Sequence, residues 1–530
     1  MYIQKVIVKN YRCLKEATVA LNPELNVIVG NNECGKSTLL EAINLALTGQ
    51  LNGRNLQTEL HPYLFNAAVV YQYIENLKKG ITAPPPSFEI ELYFADDVSL
   101  AELKGTNNSL KEDLPGVVIS AEFNKDYQAE VEKYVEDPEL IKTLPIEYYT
   151  VRWRNFADRD ITIRSVPLRC AFIDASTIRN NSSANKYVVD IMRDSLDLKQ
   201  KVDLALSYRM MKDAFLQNDK VKDINKALGA KKGKITDKEL SVSLDTTSRA
   251  SWESGVMPHL DDIPLPLIGK GEQNSIKIKF ALEGSAESNI VLIEEAENHL
   301  SHSNLNNLIK HIEATRGNRQ ILITTHSSFV LNKLGIENVL LFNRGYAMTL
   351  DKLSPDTQDY FMKLPGHDTL RLILSKKSIL VEGPSDELIV QRAYFKKHGK
   401  LPIEDGVDVI SVRSLAFKRF LEIAAKMKIV VKVVTDNDGD VDALKKKYSD
   451  FDKIQDIEIC YDIDTSYKTL EPQLLKANSK AVIEKILSKE FASDQDALDW
   501  MEANKSETAL RFFETTQNWV VPPYIENAIE

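Results

Sequence analysis

Two groups of residues in this sequence have the types and spacing for chemistry on phosphates. The first is Gly30-Asn31-Asn32-Glu33-Cys34-Gly35-Lys36-Ser37, followed by Thr38. It fits G-x-x-x-x-G-K-[ST] at every fixed position, between an apolar strand and a helix. Glycines let backbone N–H groups curl around phosphate oxygens, and the positive end of the following helix adds to that field. Lys36 is then expected to reach the β- and γ-phosphates, and Ser37 to hold Mg²⁺. A later apolar run, Ile290-Val291-Leu292-Ile293, ends in Glu294 and Glu295. Glu294 is expected to approach the metal, and Glu295 to polarise the attacking water. His326 follows a second apolar run; beside the Glu pair it reads as a γ-phosphate sensor, and by itself as an ordinary strand-end histidine.

The second group is acidic. Glu382 and Asp386 lie where one strand ends and a helix opens, and Asp436-Asn437-Asp438-Gly439-Asp440 ends another. Acids at the C-terminal ends of neighbouring parallel strands converge on one crevice. Carboxylates gathered there repel one another unless cations neutralise them. All-oxygen donors favour Mg²⁺ or Mn²⁺. Two such ions about 3.5–4 Å apart can activate water and stabilise the leaving oxygen of a phosphodiester. Taken alone, DNDGD also reads as a solvated Asx-turn.

These residues need a scaffold. At about 100–200 residues per domain, a 530-residue chain holds several units. With 43% hydrophobic and 27% charged residues, 21 Gly and 19 Pro, it is neither collagen-like nor mostly disordered. The start, MYIQKVIVKNYR, alternates like a strand and does not read as a signal peptide. No apolar run approaches 18 residues, so no membrane span is expected. Cys13, Cys34, Cys170 and Cys460 stand far apart, which fits a reducing, cytoplasmic setting without zinc or disulfides. A net charge of −10 excludes a bulk nucleic-acid coat, although not a local basic groove.

Along the chain, strands reach Gly30 and helical spacing runs from Lys36 to Leu47, with Leu39, Leu40, Ile43 and Leu47 on one face. From about residue 175 to 234 the sequence is helix-rich, highly charged and almost free of glycine. That stretch reads as an inserted arm, serving either as a solvated helix pair or as a dimer surface. After Lys376, strands alternate with helices, which predicts a parallel sheet.

The order of the first group resembles the ABC-type ATPase heads of the SMC, RecF and OLD families. Gly269-Lys270-Gly271-Glu272-Gln273 takes the place of their signature, and Arg12 that of an arginine that often touches nucleotide. KGEQ departs from the transporters' SGGQ, and the first acid is Glu rather than Asp. The resemblance implies ATP sandwiched between two heads, and so a homodimer or higher homo-oligomer. Glu382 followed by Asp436 and Asp438 resembles the Toprim pattern. Thr469-Leu470-Glu471 and Asn504-Lys505-Ser506 resemble late motifs of the OLD-family nucleases, in which Glu471 would join the metal ligands Glu382, Asp386, Asp436 and Asp438, and Lys505 would face the scissile phosphate. The implied fold is α/β: an ABC-type ATPase head with an inserted helical dimerisation arm, followed by a Toprim domain. The expected parts are the ATPase at 1–175, the arm at 176–240, the rest of the ATPase at 241–370 and the Toprim domain at 371–530. The implied activity is ATP-binding, Mg²⁺- or Mn²⁺-dependent endonuclease or nickase action on double-stranded DNA, in an antiviral role with a helicase-like or other defence partner. A RecF/SMC-like ATP-gated DNA clamp without nuclease activity is the alternative. A topoisomerase would need a catalytic Tyr in a further domain.

Overall fold

A computed structural model describes the chain except residues 32, 82, 136–140, 175–188, 190–191, 193–195, 233–236, 246–251, 285–288, 328–329, 331–333, 335–337, 344, 350–351, 364–370, 373–374, 376 and 413–415. Asn32, much of the arm before Asp197 and the expected boundary near Leu370 therefore lie outside the described residues. The chain forms two compact units, one of residues 1–167 and 322–530, the other of residues 168–321.

The first unit opens with β1 (Ile3–Tyr11), β2 (Leu14–Ala20) and β3 (Leu25–Val29), followed by α1 (Lys36–Thr48). Every residue of β3 is buried, and its one polar side chain, Asn26, is satisfied by the backbone of Asn22. Leu39, Leu40, Ile43 and Leu47 are buried along α1, and Gly49 in the left-handed region ends the helix. β4 (Phe88–Phe94), β5 (Leu114–Phe123) and β6 (Tyr149–Asn155) complete an antiparallel sheet in the order β2-β1-β4-β5-β6.

In the second unit, β7 (Cys170–Asp174) pairs in parallel with β8 (Ile290–Glu294). Between them run α2 (Leu198–Gln217), α3 (Asp219–Gly229) and α4 (Lys270–Gly284). Asp197 and Gln200 form a reciprocal capping box at the start of α2, and Asn218 caps α3. After α5 (His302–Thr315), β9 (Gln320–Thr325) carries the chain back into the first unit and runs to the residue before His326.

Back in the first unit, β10 (Val339–Asn343) pairs in parallel with β3 and antiparallel with β11 (Tyr346–Thr349). The C-terminal sheet contains β12 (Lys377–Val381), β13 (Val407–Ser411), β14 (Val430–Val434) and β15 (Ile457–Cys460). All its pairings are parallel, in the order β13-β12-β14-β15. Among its helices are α6 (Pro384–His398), α7 (Phe417–Met427), α8 (Val441–Tyr448), α9 (Leu470–Ala477), α10 (Lys505–Glu514) and α11 (Pro523–Ala528). Ile379, Val381, Ile389, Val434, Phe512 and Trp519 share one buried core there. The chain passes from β12 to β13 on one side, then crosses to β14 on the other. That reversal opens a crevice beyond the carboxyl ends of β12 and β14. Among the described residues, no helix is long and apolar enough to cross a membrane.

Candidate functional site

The phosphate loop begins at Gly30, next to the last residue of β3. Cys34 N–H donates to the Asn31 carbonyl at 3.3 Å, turning the loop toward α1. Gly35 caps that helix at φ 101°, in the left-handed region open to a residue without Cβ. Lys36 is buried, and its Nζ donates to the carbonyl oxygens of Gly30 at 2.9 Å and Asn31 at 3.0 Å. Ser37 is exposed in the first turn, and Thr38 Oγ1 lies 3.2 Å from Cys13 Sγ. Arg12 is brought to the same helix: its Nε lies 2.8 Å from Glu41 Oε1, an oxygen that also accepts from the Tyr11 hydroxyl. Gly30, Asn31, Gly35, Lys36, Ser37, Thr38 and Arg12 thus gather around the first turns of α1. A ligand with negative oxygens fits this end, which offers the positive end of the helix and a lysine.

Glu294 is buried at the end of β8. Glu295 follows at φ 46°, and its Oε2 accepts from Asn298 Nδ2 at 2.6 Å. The Asn298 carbonyl in turn accepts from Asn274 Nδ2 of α4 at 3.0 Å. Gly271 stands in the first turn of α4, where a Cβ would come within 2.2 Å of the His299 carbonyl oxygen. A side chain there would push the signature helix away from the loop that carries Glu295. His326 is half-buried after β9.

The C-terminal crevice is built from strand ends. Glu382 follows β12, and its Oε1 accepts from Thr435 Oγ1 at 2.6 Å and Asp436 N–H at 3.1 Å. Asp386, in the first turn of α6, reaches back to Gly383 N–H at 3.0 Å. Burial and the neighbouring Glu382 push the Asp386 carboxyl up to about 7, with Glu471 adding to the effect. Burial, then Asp386, Glu382, Glu471 and Asp438, push Asp436 up to about 8. Glu471 is buried at the start of α9, with its Oε2 3.3 Å from Thr469 Oγ1 and 3.4 Å from Lys505 Nζ. Lys505 is the first residue of α10 and remains half-exposed. Asp438 is exposed at φ 50°. Asp440 is exposed too, but its Oδ1 caps α8 by accepting from Ala443 N–H at 2.9 Å.

Among the described residues, no group of His, Cys, Asp or Glu side chains is drawn together as a ready metal cage. Three of the acids instead rest on donors of their own: Thr435 for Glu382, Gly383 for Asp386, Lys505 and Thr469 for Glu471. The donor set is all oxygen and its charges raise one another's proton affinity. That chemistry fits a hard divalent cation such as Mg²⁺ or Mn²⁺, held by Glu382, Asp386, Asp436 and Glu471, with Asp438 at the mouth.

Some functional neighbours escaped the sequence. Asn437, between the two aspartates, is buried, and its Nδ2 donates to the carbonyls of Asp462, Asp464 and Tyr467. It ties the acidic loop to the segment after β15, so the Asx-turn and the acidic site are the same object. Asp462 itself follows β15, and the strand-end reasoning applied to Glu382 and Asp436 would have found it. Asp462 Oδ2 pairs with Lys476 Nζ at 3.1 Å.

Comparison with known proteins follows this division. Residues 1–147 match the family described as AAA ATPase domain. Residues 189–332 match the AAA domain, putative AbiEii toxin, Type IV TA system. Residues 373–438 match the overcoming lysogenization defect protein-like TOPRIM domain. The DNA replication and repair protein RecF of Halothermothrix orenii is 29% identical over 162 residues, 29% of this chain and 41% of that protein. Structural maintenance of chromosomes protein 6 of Saccharomyces cerevisiae is 34% identical over 83 residues, 15% of this chain and 7% of that protein. The chain thus spans less than half the length of these relatives. A solved SMC head bound to the C-winged helix domain of ScpA aligns at TM-score 0.34 and 14% identity, over 66% of this chain and 99% of that one. A solved RecF structure aligns at TM-score 0.33 and 13% identity, over 66% of this chain and 98% of that one.

Proposed function

We propose that this chain, whose AAA ATPase domains and C-terminal OLD-like TOPRIM domain match an OLD-family ATPase–Toprim protein, is an ATP-hydrolysing, divalent-metal-dependent DNA endonuclease or nickase. The observation that carries the reading is the crevice at the ends of β12 and β14. Glu382, Asp386, Asp436 and Glu471 act on one another there, and Asp386 and Asp436 hold protons far above the ordinary carboxylate range. A bound Mg²⁺ or Mn²⁺ would neutralise these acids, activate water and stabilise the leaving oxygen. Lys505, half-exposed beside Glu471, supplies a positive charge for a scissile phosphate. In the ATPase, Lys36 and the start of α1 receive the phosphates and Ser37 serves the nucleotide's metal; Glu294 is a metal-approaching acid, Glu295 orients water and His326 senses the γ-phosphate.

Supercoiled plasmid with Mg²⁺ or Mn²⁺ tests the function. A nuclease or nickase yields linear or open-circle DNA. A RecF/SMC-like clamp, the reading favoured by the RecF relatives, leaves the plasmid supercoiled. Relaxed closed circles would indicate a topoisomerase.

The ATPase reading extends to a homodimer or higher homo-oligomer. Leu198, Val202, Leu206, Met210 and Met211 stand exposed along α2, which supports a partner surface on the arm. Light scattering at the mass of a single chain, with and without ATP, would refute it. The domain order also resembles that of the nuclease subunit of the Gabija antiviral system. An antiviral role with a helicase-like partner predicts that phage plaque counts fall in cells carrying the wild type and not in cells carrying Asp436→Ala.

A further inference from the structure

Tyr524 lies on α11, which packs against β14 and β15 and touches α6, the elements that carry Asp436, Asp462 and Asp386 to the crevice. The residue is 5% exposed and belongs to the C-terminal core. Its ring packs as a phenylalanine would. Its hydroxyl does not: the oxygen is buried and has no hydrogen-bond partner among the described residues. A buried hydroxyl without a partner forfeits its hydration, so packing alone would favour Phe at this position. Burial raises the phenol well above its ordinary range, and the carboxylates of Asp436, Asp386, Asp462 and Glu471 raise it further. The group is therefore a neutral O–H donor among acceptors, and it adds no charge to the crevice.

We propose that Tyr524 is a positioning residue of the acidic crevice, its hydroxyl being the donor for a carboxylate oxygen of the metal-binding set once a divalent cation draws those acids together. The inference rests on the metal-site reading above. Donors of this kind fix the orientation of ligating carboxylates, and their loss weakens metal affinity about tenfold or more.

The test uses the full chain without nucleotide, titrated with Mn²⁺ by calorimetry, alongside thermal melting in EDTA. The reference is the Mn²⁺ binding that Asp436→Asn removes. Tyr524→Phe should weaken that binding about tenfold, with the EDTA melting temperature unchanged or raised, because the orphaned hydroxyl is gone. Wild-type Mn²⁺ affinity in Tyr524→Phe would overturn the inference and leave the metal site standing. A lower EDTA melting temperature together with that wild-type affinity would assign the hydroxyl to structure alone. If wild type and Asp436→Asn bind Mn²⁺ equally, the metal-site reading itself fails, and this inference falls with it.

Discussion

The phosphate loop and the acidic crevice meet phosphate chemistry with opposite charges. In the loop, Lys36 donates to the carbonyl oxygens of Gly30 and Asn31, so its cation has acceptors before any nucleotide arrives. In the crevice, acids outnumber cations. Lys505 reaches Glu471, while burial, and then the crowding of acids, makes Asp386 and Asp436 hold on to protons. The loop is set to receive an anion with little change in its own charge state. On the proposed nuclease reading, the crevice becomes a site for DNA only when something positive enters first. One region thus binds by what it already displays, and the other by what it lacks.

The largest effect that could break this contrast lies in the loop. Lys36→Ala should abolish ATP binding or hydrolysis while leaving Mn²⁺ binding in the crevice at the wild-type level. Glu295→Gln should bind ATP and hydrolyse it slowly, since it loses only the group that polarises water. Equal hydrolysis by wild type and Glu295→Gln would mean that the base lies elsewhere. A smaller but still large effect is expected at Lys505. Its Ala variant should lose cleavage by roughly a hundredfold and keep its Mn²⁺ affinity. A parallel loss of Mn²⁺ would make the lysine a support for Glu471 rather than a partner for phosphate.

The mildest test sharpens the contrast through pH. Asp386 and Asp436 sit at about 7 and about 8, above the ordinary 3.8. An acid with a raised folded value binds its proton more tightly when folded than when unfolded. Its contribution to stability is full below pH 3.8 and is lost as pH rises toward about 8. In EDTA, the melting temperature should fall between about pH 6 and about pH 8, and Asp436→Asn should flatten that fall. Saturating Mg²⁺ should restore stability most at the higher pH. An identical pH profile for wild type and Asp436→Asn in EDTA would show that the crevice acids are not crowded.

What could be read in the sequence follows from the range of the interactions. The loop from Gly30 to Thr38 is local: strand, turn and helix are adjacent in the chain, so spacing alone locates it. Glu382 and Asp436 were legible because parallel strands deliver their ends to one edge. The supports were not legible. Asn437 reaches the carbonyls of Asp462, Asp464 and Tyr467 across a loop of no fixed pattern. Arg12 meets Glu41 only because α1 folds back beside β1. Tyr524 sits in an apolar C-terminal stretch where an aromatic residue reads as core, and only the tertiary fold turns its hydroxyl into an oddity. The polarity of Asp440 was visible, but its service as the cap of α8 depended on knowing where that helix begins.

On the proposed reading, the crevice cuts DNA by its own metal chemistry, separately from the nucleotide site. Its most direct test measures plasmid cleavage and ATP hydrolysis on the same preparations of wild type, Glu382→Ala, Asp436→Ala and Asp440→Ala with Mn²⁺. The account predicts that Glu382→Ala and Asp436→Ala lose cleavage by roughly a hundredfold or more while hydrolysing ATP near the wild-type rate, and that Asp440→Ala keeps most of both activities. Wild-type cleavage by Glu382→Ala and Asp436→Ala would contradict it and leave the chain an ATP-gated DNA clamp.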